Sequence, residues 1–175
     1  MQEGLQKIAA TADIDVRWHL IGHLQSNKAK KAARPFAWIH SVDSVDLLQR
    51  MDRAAADEGA SPEVLVQVDL AGETTKFGAP ADQARAIADA AAAAKAVRLA
   101  GLMILPPWNE DPEQTRPWFV RLRELRDRWV ADGFPAPTLR HLSMGMSHDF
   151  EAAIEEGATI VRVGTAIFGT RTIKT

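Results

Sequence analysis

The chain of 175 residues is 46% hydrophobic and 25% charged, an ordinary composition for one globular domain with a full core. Its formal net charge of −2 gives no reason to expect a nucleic acid or an anionic membrane surface as a partner. The absence of cysteine excludes disulfides, zinc-thiolate sites and cysteine nucleophiles. No stretch has the pattern of a signal peptide or a membrane span, so we expect residues 1–175 to form a single cytoplasmic domain.

Helical and strand patterns alternate along the whole chain. Apolar residues at helical spacing predict six helices, at residues 2–12, 24–33, 45–55, 81–96, 115–131 and 147–156. Short apolar runs predict six strands, at residues 16–21, 36–40, 64–69, 99–105, 139–143 and 159–163. Strands that alternate with helices in this way build a parallel α/β sheet.

Polar residues inside the strands help to choose between two parallel architectures. A doubly wound open sheet is expected to have strands that are apolar on both faces. Here His19, Gln67 and Arg162 interrupt three of the predicted strands. Polar side chains that project toward one axis fit a (β/α)8 TIM barrel, whose reacting groups lie at the C-terminal ends of its strands. We therefore predict a barrel of which this chain carries six strands, with the other two expected upstream of residue 1.

The strongest candidate for a site lies between residues 141 and 171. Two loops of small residues, SMGMS after the fifth strand and GTAIFG after the sixth, are predicted to meet at one end of the sheet. Ser147 is predicted to cap the helix over residues 147–156, and Gly157 to end it. Free backbone N–H groups gathered in these two loops suit a phosphate group.

Arg162 alternates with Val161 and Val163 and is therefore predicted to face the barrel interior, where a guanidinium needs an anionic or acceptor partner. The structural alternative is an arginine at the barrel rim paired with a carboxylate. The simpler interpretation of His19 is a structural histidine. The simpler interpretation of Lys76, in the loop GETTKFG, is an exposed lysine. Because the sequence has no GxSxG, HExxH or Walker A pattern, spacing alone names no reaction.

Five segments carry a resemblance to a known family: WHLIGHLQSNK (18–28), IHSVDS (39–44), VQVDLAGETTKFG (66–78), GLMILPP (101–107) and LSMGMSHDFEAAIEEGATIVRVGTAIFG (142–169). In this order they closely resemble the pyridoxal 5′-phosphate homeostasis proteins. The resemblance implies a TIM barrel of the alanine racemase N-terminal-domain type. It also implies a protein that binds pyridoxal 5′-phosphate (PLP), has no catalytic turnover of its own, and buffers or delivers the cofactor to PLP-dependent apoenzymes.

The resemblance also implies roles for individual residues. Ser147 and the backbone of Gly164 and Thr165 match the ligands of the cofactor phosphate. Arg162 resembles the arginine that faces the pyridine nitrogen in the related racemases. Three further residues are expected at the pocket, and these are Ser143, Met146 and His19. No metal, nucleic acid or membrane is implied, and the full-length protein is expected to be a monomer.

The chain departs from the family pattern at its start. In the family a lysine on the first barrel strand holds the cofactor as a Schiff base, and the second strand ends in a GENYxQE-like motif. Here that second motif survives as Gln2-Glu3, and neither Lys28 nor Lys76 matches the Schiff-base lysine. We therefore expect an N-terminally truncated chain that binds PLP weakly and without a covalent bond. A PLP-dependent amino-acid racemase and an inert fragment are the alternatives.

Overall fold

Seven strands pair in parallel to form one sheet whose outer face is covered by helices. The structure is a computed structural model that describes residues 1–72 and 77–170. Its strands are β1 (His19–Leu20), β2 (Trp38–Val42), β3 (Glu63–Asp69), β4 (Ala79–Pro80), β5 (Arg98–Ile104), β6 (His141–Met146) and β7 (Ile160–Arg162). The sheet order is β1-β2-β3-β5-β6-β7, and the two-residue β4 pairs with β3. The six predicted strands are thus confirmed, whereas β4 was not predicted.

Helices occupy the segments around and between these strands. They are α1 (Gln2–Ala10), α2 (Ala29–Ala32), α3 (Val45–Asp57), α4 (Ala81–Ala92), α5 (Arg116–Ala131), α6 (Phe150–Glu155) and α7 (Thr165–Phe168). Short 3-10 turns lie at Ser26–Lys28, Pro112–Gln114 and Ala136–Leu139. The α3 helix shows why the sequence folds this way: Ser44 Oγ accepts the N–H of Leu47 as an N-cap, and one helix face is buried.

Alternate residues of the central strand β3 enter two different cores. Val64, Val66 and Val68 pack on the outer side among the buried residues of the helices. Leu65 points to the inner side, where a smaller cluster forms with Trp38, Ala100 and Met103. Gln67 shares the inner side by the two-residue period, is buried, and donates through Nε2 to the carbonyl of Phe77 at 2.6 Å. The inner side thus carries a polar residue beside an apolar cluster, as the barrel prediction expects.

Two predicted boundaries near the C-terminal end of the sheet are wrong. Strand β6 continues to Met146 rather than ending at Ser143, and α6 begins at Phe150 rather than at Ser147. Gly145 lies inside β6 at φ +88°, and a Cβ there would come within 2.6 Å of Ala153 Cβ. Glycine at this position lets α6 pack closely on the strand. The helix itself starts three residues later than predicted, after Asp149.

The first strand is also shorter than predicted. Residues 16–21 were expected to be extended and paired, but β1 pairs with β2 through His19 and Leu20. Val16 and Ile21 at the two ends of the prediction are exposed. Their apolar side chains gave the segment the sequence pattern of a longer strand, but these side chains are not buried against the sheet.

Helix α4 ends at Ala92 because the next segment is held by a side chain from α3. One carboxylate oxygen of Asp52 accepts the backbone N–H groups of Lys95, Ala96 and Val97, at 3.0, 2.7 and 3.1 Å. Burial alone would raise the pKa of Asp52, but these three donors lower it below its usual range. The carboxylate therefore fixes the turn that leads into β5.

We expect Asp52→Asn to lower the free energy of unfolding by about 1–3 kcal/mol, because an amide oxygen accepts these hydrogen bonds more weakly than a carboxylate does. Since the folded-state pKa is depressed, the stabilisation is present above the unfolded pKa of about 3.9 and is lost as the pH falls through the folded value. Urea unfolding at pH 7 and at lower pH measures both effects. Asp57→Asn, an exposed change on the same helix, is the control, and equal stabilities of the two variants would contradict the prediction.

Candidate functional site

A cavity of about 750 Å³ opens at the C-terminal ends of the strands. Its wall comes from β1 and the loop after it, from β2, and from the last two strands. The lining residues are His19, Ile21, Gly22, His40, Leu105, Met146, Ile160, Val161, Arg162, Val163 and Gly164. A second cavity of about 310 Å³ shares Met146, Arg162 and Gly164 with the first, so the two form neighbouring parts of one site.

Arg162, at the end of β7, is buried and held by two hydrogen bonds. Its Nη1 donates to Ser143 Oγ at 2.8 Å, and its Nη2 donates to the carbonyl of Ile104 at 2.9 Å. Its Nε–H is also buried but has no hydrogen-bond partner among the described residues. Burial lowers the pKa of Arg162 to about 10, an effect that the nearby Asp149 carboxylate partly opposes. The guanidinium therefore stays charged at neutral pH, and its buried Nε–H is left for a further acceptor.

Ser147 joins the loop after β6 to the start of α7. Its Oγ accepts the N–H of Gly164 at 2.9 Å and the N–H of Ala166 at 3.2 Å. It does not cap α6, the role that the sequence predicted, because that helix begins after Asp149. Two backbone donors thus converge on one oxygen of a residue that lines the second cavity. The hydroxyl hydrogen of Ser147 is left to donate to a further acceptor.

His19 and His40 form a pair on the opposite wall. His19 Nδ1 lies 3.0 Å from His40 Nε2, and His40 Nδ1 lies 2.9 Å from Ser143 Oγ. The His19 ring stacks on Trp38 with centroids 5.2 Å apart and planes 9° apart. Burial, with a smaller contribution from neighbouring positive groups, lowers the pKa of His40 to about 3 and also lowers the pKa of His19. Both imidazoles are therefore neutral at pH 7, whereas the Arg162 guanidinium in the same cavity wall is positive.

The structure brings together the residues that the sequence singled out for a site. His19, Met146, Arg162 and Gly164 line the larger cavity, and Ser147 and Thr165 line the smaller one. Ser143 is fully buried behind them and bonds to Arg162. Their role in binding stays a prediction.

Two participants were not predicted. His40 ends the predicted strand FAWIH and was not predicted as a site residue. The signal that singles out His19, a histidine among apolar strand residues, is present at His40 as well. The N–H of Ala166 carries no signal in a side-chain pattern. Lys28 lies exposed at the end of a 3-10 turn, and Lys76 lies outside the described residues.

Other kinds of site find no support in the part of the chain that the structure describes. Residues 1–72 and 77–170 contain no group of three or more His, Asp or Glu side chains that could hold a metal ion. Over the same residues, no helix is long and apolar enough to cross a membrane.

Comparisons with known proteins identify relatives that match nearly the whole chain. The family model described as alanine racemase, N-terminal domain, matches residues 1–172. The pyridoxal phosphate homeostasis protein of Aquifex aeolicus is 44% identical over 171 residues, which cover 98% of this chain and 74% of that protein. The protein of the same name from Pseudomonas aeruginosa is 41% identical over 172 residues, covering 98% of this chain and 72% of the relative.

Solved structures agree with these matches. The structure of PipY from Synechococcus elongatus with PLP bound is similar with a TM-score of 0.88 and 40% sequence identity. The superposition covers 96% of this chain and 78% of PipY. The structure of PipY without PLP gives a TM-score of 0.89. The open sheet described above is therefore the arc of an alanine racemase-type barrel, as predicted.

Proposed function

The chain belongs to the alanine racemase N-terminal domain family and, within it, to the pyridoxal phosphate homeostasis proteins, and from that membership we propose that it binds PLP beside Arg162. The resemblance seen in the sequence motifs is thereby confirmed. The observation that carries the proposal is the buried Nε–H of Arg162, which has no acceptor among the described residues. A buried donor without an acceptor costs about 1–3 kcal/mol, so a ligand that supplies one is favoured here.

The pyridine nitrogen of PLP is an acceptor of the required kind. A guanidinium has donors and no acceptor, so Arg162 favours a ring nitrogen that carries no proton. When bound, the cofactor supplies an aldehyde that reacts with amines and a ring that withdraws electrons, and an unprotonated ring nitrogen withdraws them less strongly. Arg162 thus suits a site that holds the cofactor better than one that promotes carbanion chemistry.

The phosphate is proposed to lie at the loop after β6 and the start of α7. Ser147 Oγ already accepts two backbone N–H groups, so its own hydrogen is the group that can donate to a phosphate oxygen. The backbone N–H of Thr165 is the second donor we propose, whereas the N–H of Gly164, also predicted as a phosphate ligand, is already donated to Ser147 Oγ. Met146 is half exposed and lines both cavities, which supports our proposal that it covers the ring. The contacts proposed here are all non-covalent.

A carrier role follows as the second part of the proposal. We propose that the chain takes part in intracellular PLP homeostasis, without turnover of its own, by holding the cofactor and passing it to PLP-dependent apoenzymes in the cytoplasm. The names of the relatives support the homeostasis role. The arginine beside the ring supports holding over catalysis, for the reason given above.

Ser147→Ala is expected to weaken PLP binding by roughly tenfold and to leave the binding of pyridoxal, which lacks the phosphate, unchanged. The variant removes the hydroxyl donor while Arg162 and the ring pocket stay intact. Titrations of the purified protein with PLP and with pyridoxal, followed by absorbance or by thermal shift, measure both affinities.

Ser61→Ala is the matched control, because Ser61 is an exposed serine that bonds to Ala96 and Arg98 away from the cavities. An equal loss for PLP and pyridoxal in Ser147→Ala would place the phosphate elsewhere. If the unaltered protein shows no saturable PLP binding up to about 1 mM, the proposed function itself is wrong.

A further inference from the structure

A chain of hydrogen bonds crosses the inner side of the sheet from Arg162 to His19. Arg162 Nη1 donates to Ser143 Oγ at 2.8 Å, Ser143 Oγ lies 2.9 Å from His40 Nδ1, and His40 Nε2 lies 3.0 Å from His19 Nδ1. Ser143 is on β6 and His40 on β2, which are separated in the sheet by β3 and β5. The Ser143–His40 bond therefore spans the barrel interior and joins the two walls of the cavity.

The chemistry at Ser143 sets the direction of this chain. Arg162 can only donate, so Ser143 Oγ is an acceptor in that bond. If His40 Nδ1–H also donated to Ser143, the serine hydrogen would need another acceptor. The structure shows none for this fully buried hydroxyl among the described residues, and an unmade bond of this kind costs about 1–3 kcal/mol. Ser143 therefore donates its hydrogen to His40 Nδ1.

The remaining proton positions follow from that first bond. His40 is neutral at pH 7, since burial and the neighbouring positive groups lower its pKa to about 3. With Nδ1 accepting from Ser143, its one hydrogen is on Nε2 and is donated to His19 Nδ1. His19, whose pKa is also lowered by burial, then carries its hydrogen on Nε2. That atom has no hydrogen-bond partner among the described residues, and the His19 ring lines the larger cavity.

We infer that Arg162, acting through Ser143 and His40, fixes His19 as a hydrogen-bond donor at the cavity wall, so that the site selects ligands with an acceptor oxygen on that side. Stacking on Trp38 holds the His19 ring in place while the hydrogen bonds hold its tautomer. Ser143 and His40 are positioning residues in this scheme, and His19 contacts the ligand. The identity of the ligand rests on the proposed function, whereas the tautomers of the two histidines do not.

Nitrogen NMR of the unliganded protein tests the tautomers directly. In protein labelled with 15N-histidine at pH 7, long-range proton–nitrogen correlations are expected to show both His19 and His40 with the hydrogen on Nε2. Ser143→Ala removes the donor to His40 Nδ1, and the single form of His40 is expected to become a mixture, while Ser61→Ala changes nothing. A hydrogen on Nδ1 of either histidine in the unaltered protein would overturn the inference.

Ligand binding tests the selection that the tautomer imposes. His19→Phe keeps a ring against Trp38 without a donor and is expected to weaken PLP binding by roughly tenfold. His19→Gln restores an N–H donor and is expected to recover part of that loss. Equal PLP affinity for the unaltered protein and His19→Phe would overturn the selection. If the unaltered protein binds no PLP, the proposed function fails and the NMR result alone decides the tautomers.

Discussion

Gly101→Ala is expected to lose the folded state, or to lower the free energy of unfolding by more than about 3 kcal/mol. Gly101 lies in the middle of β5, in register with Leu65 of β3 on one side and His141 of β6 on the other. A Cβ at this position would overlap the carbonyl oxygen of His141. Backbone atoms of a paired strand cannot move aside as a flexible side chain can, so the strands would have to separate.

Urea unfolding followed by circular dichroism measures this effect, and loss of soluble protein on expression would agree with it. Gly22→Ala is the matched control, because a Cβ there meets no atom within 4 Å. A Gly101→Ala variant that unfolds at the same urea concentration as the unaltered protein would show that β5 and β6 do not approach as described. Displacing β5 would also disturb the candidate site, because Arg162 donates to the carbonyl of Ile104 at the end of that strand.

Arg162→Met is expected to weaken PLP binding by about 10- to 100-fold, because it removes the charged donor proposed for the ring nitrogen. Methionine has a similar length and avoids burying a charge, which offsets the hydrogen bonds lost at Ser143 and Ile104, so we expect the thermal unfolding temperature to change little. Arg162→Lys is expected to restore little of the affinity. A single ammonium cannot donate at once to Ser143, to Ile104 and to a ligand in the directions that the guanidinium uses.

Equilibrium dialysis against PLP measures these affinities, with Arg128→Met, an exposed change on α5, as the control for loss of one positive charge. If Arg162→Met binds PLP as tightly as the unaltered protein does, the cofactor lies elsewhere and the proposed contact is wrong. If its unfolding temperature also drops by many degrees, the loss of binding is instead explained by a collapsed cavity, and Arg162→Lys then decides between the two.

The sequence predicted the elements of the fold better than their ends. The helices α3 and α5 were predicted correctly from their amphipathic pattern. Each helix buries one face, and many residues contribute to that pattern together. Boundaries depend on single contacts between segments far apart in the chain. Helix α4 ends early because Asp52 of α3 binds the turn after it, and no local pattern near residue 95 shows this.

The candidate site was predictable where a residue type is unusual for its place. Arg162 among valines and His19 in an apolar strand both stood out, and the structure places both at the larger cavity. His40 was missed because its importance comes from Ser143, which lies 103 residues further along the chain. The role of Ser147 was wrong in part, since a serine before a short helix has the same local pattern whether it caps that helix or binds the N–H groups of another loop.

The amino-acid sequence by itself determined the alternation of strands and helices, the polar residues inside the strands and the family, because periodic patterns and ordered motifs are properties of the chain itself. The tertiary structure alone decided which polar groups meet. It showed that Arg162 uses two of its donor nitrogens on the protein, that its Nε has no partner within residues 1–72 and 77–170, and that one hydrogen-bond chain links Arg162 to His19. The reason is physical: a hydrogen bond depends on distances of about 3 Å between atoms that folding brings together, and sequence spacing does not encode those distances.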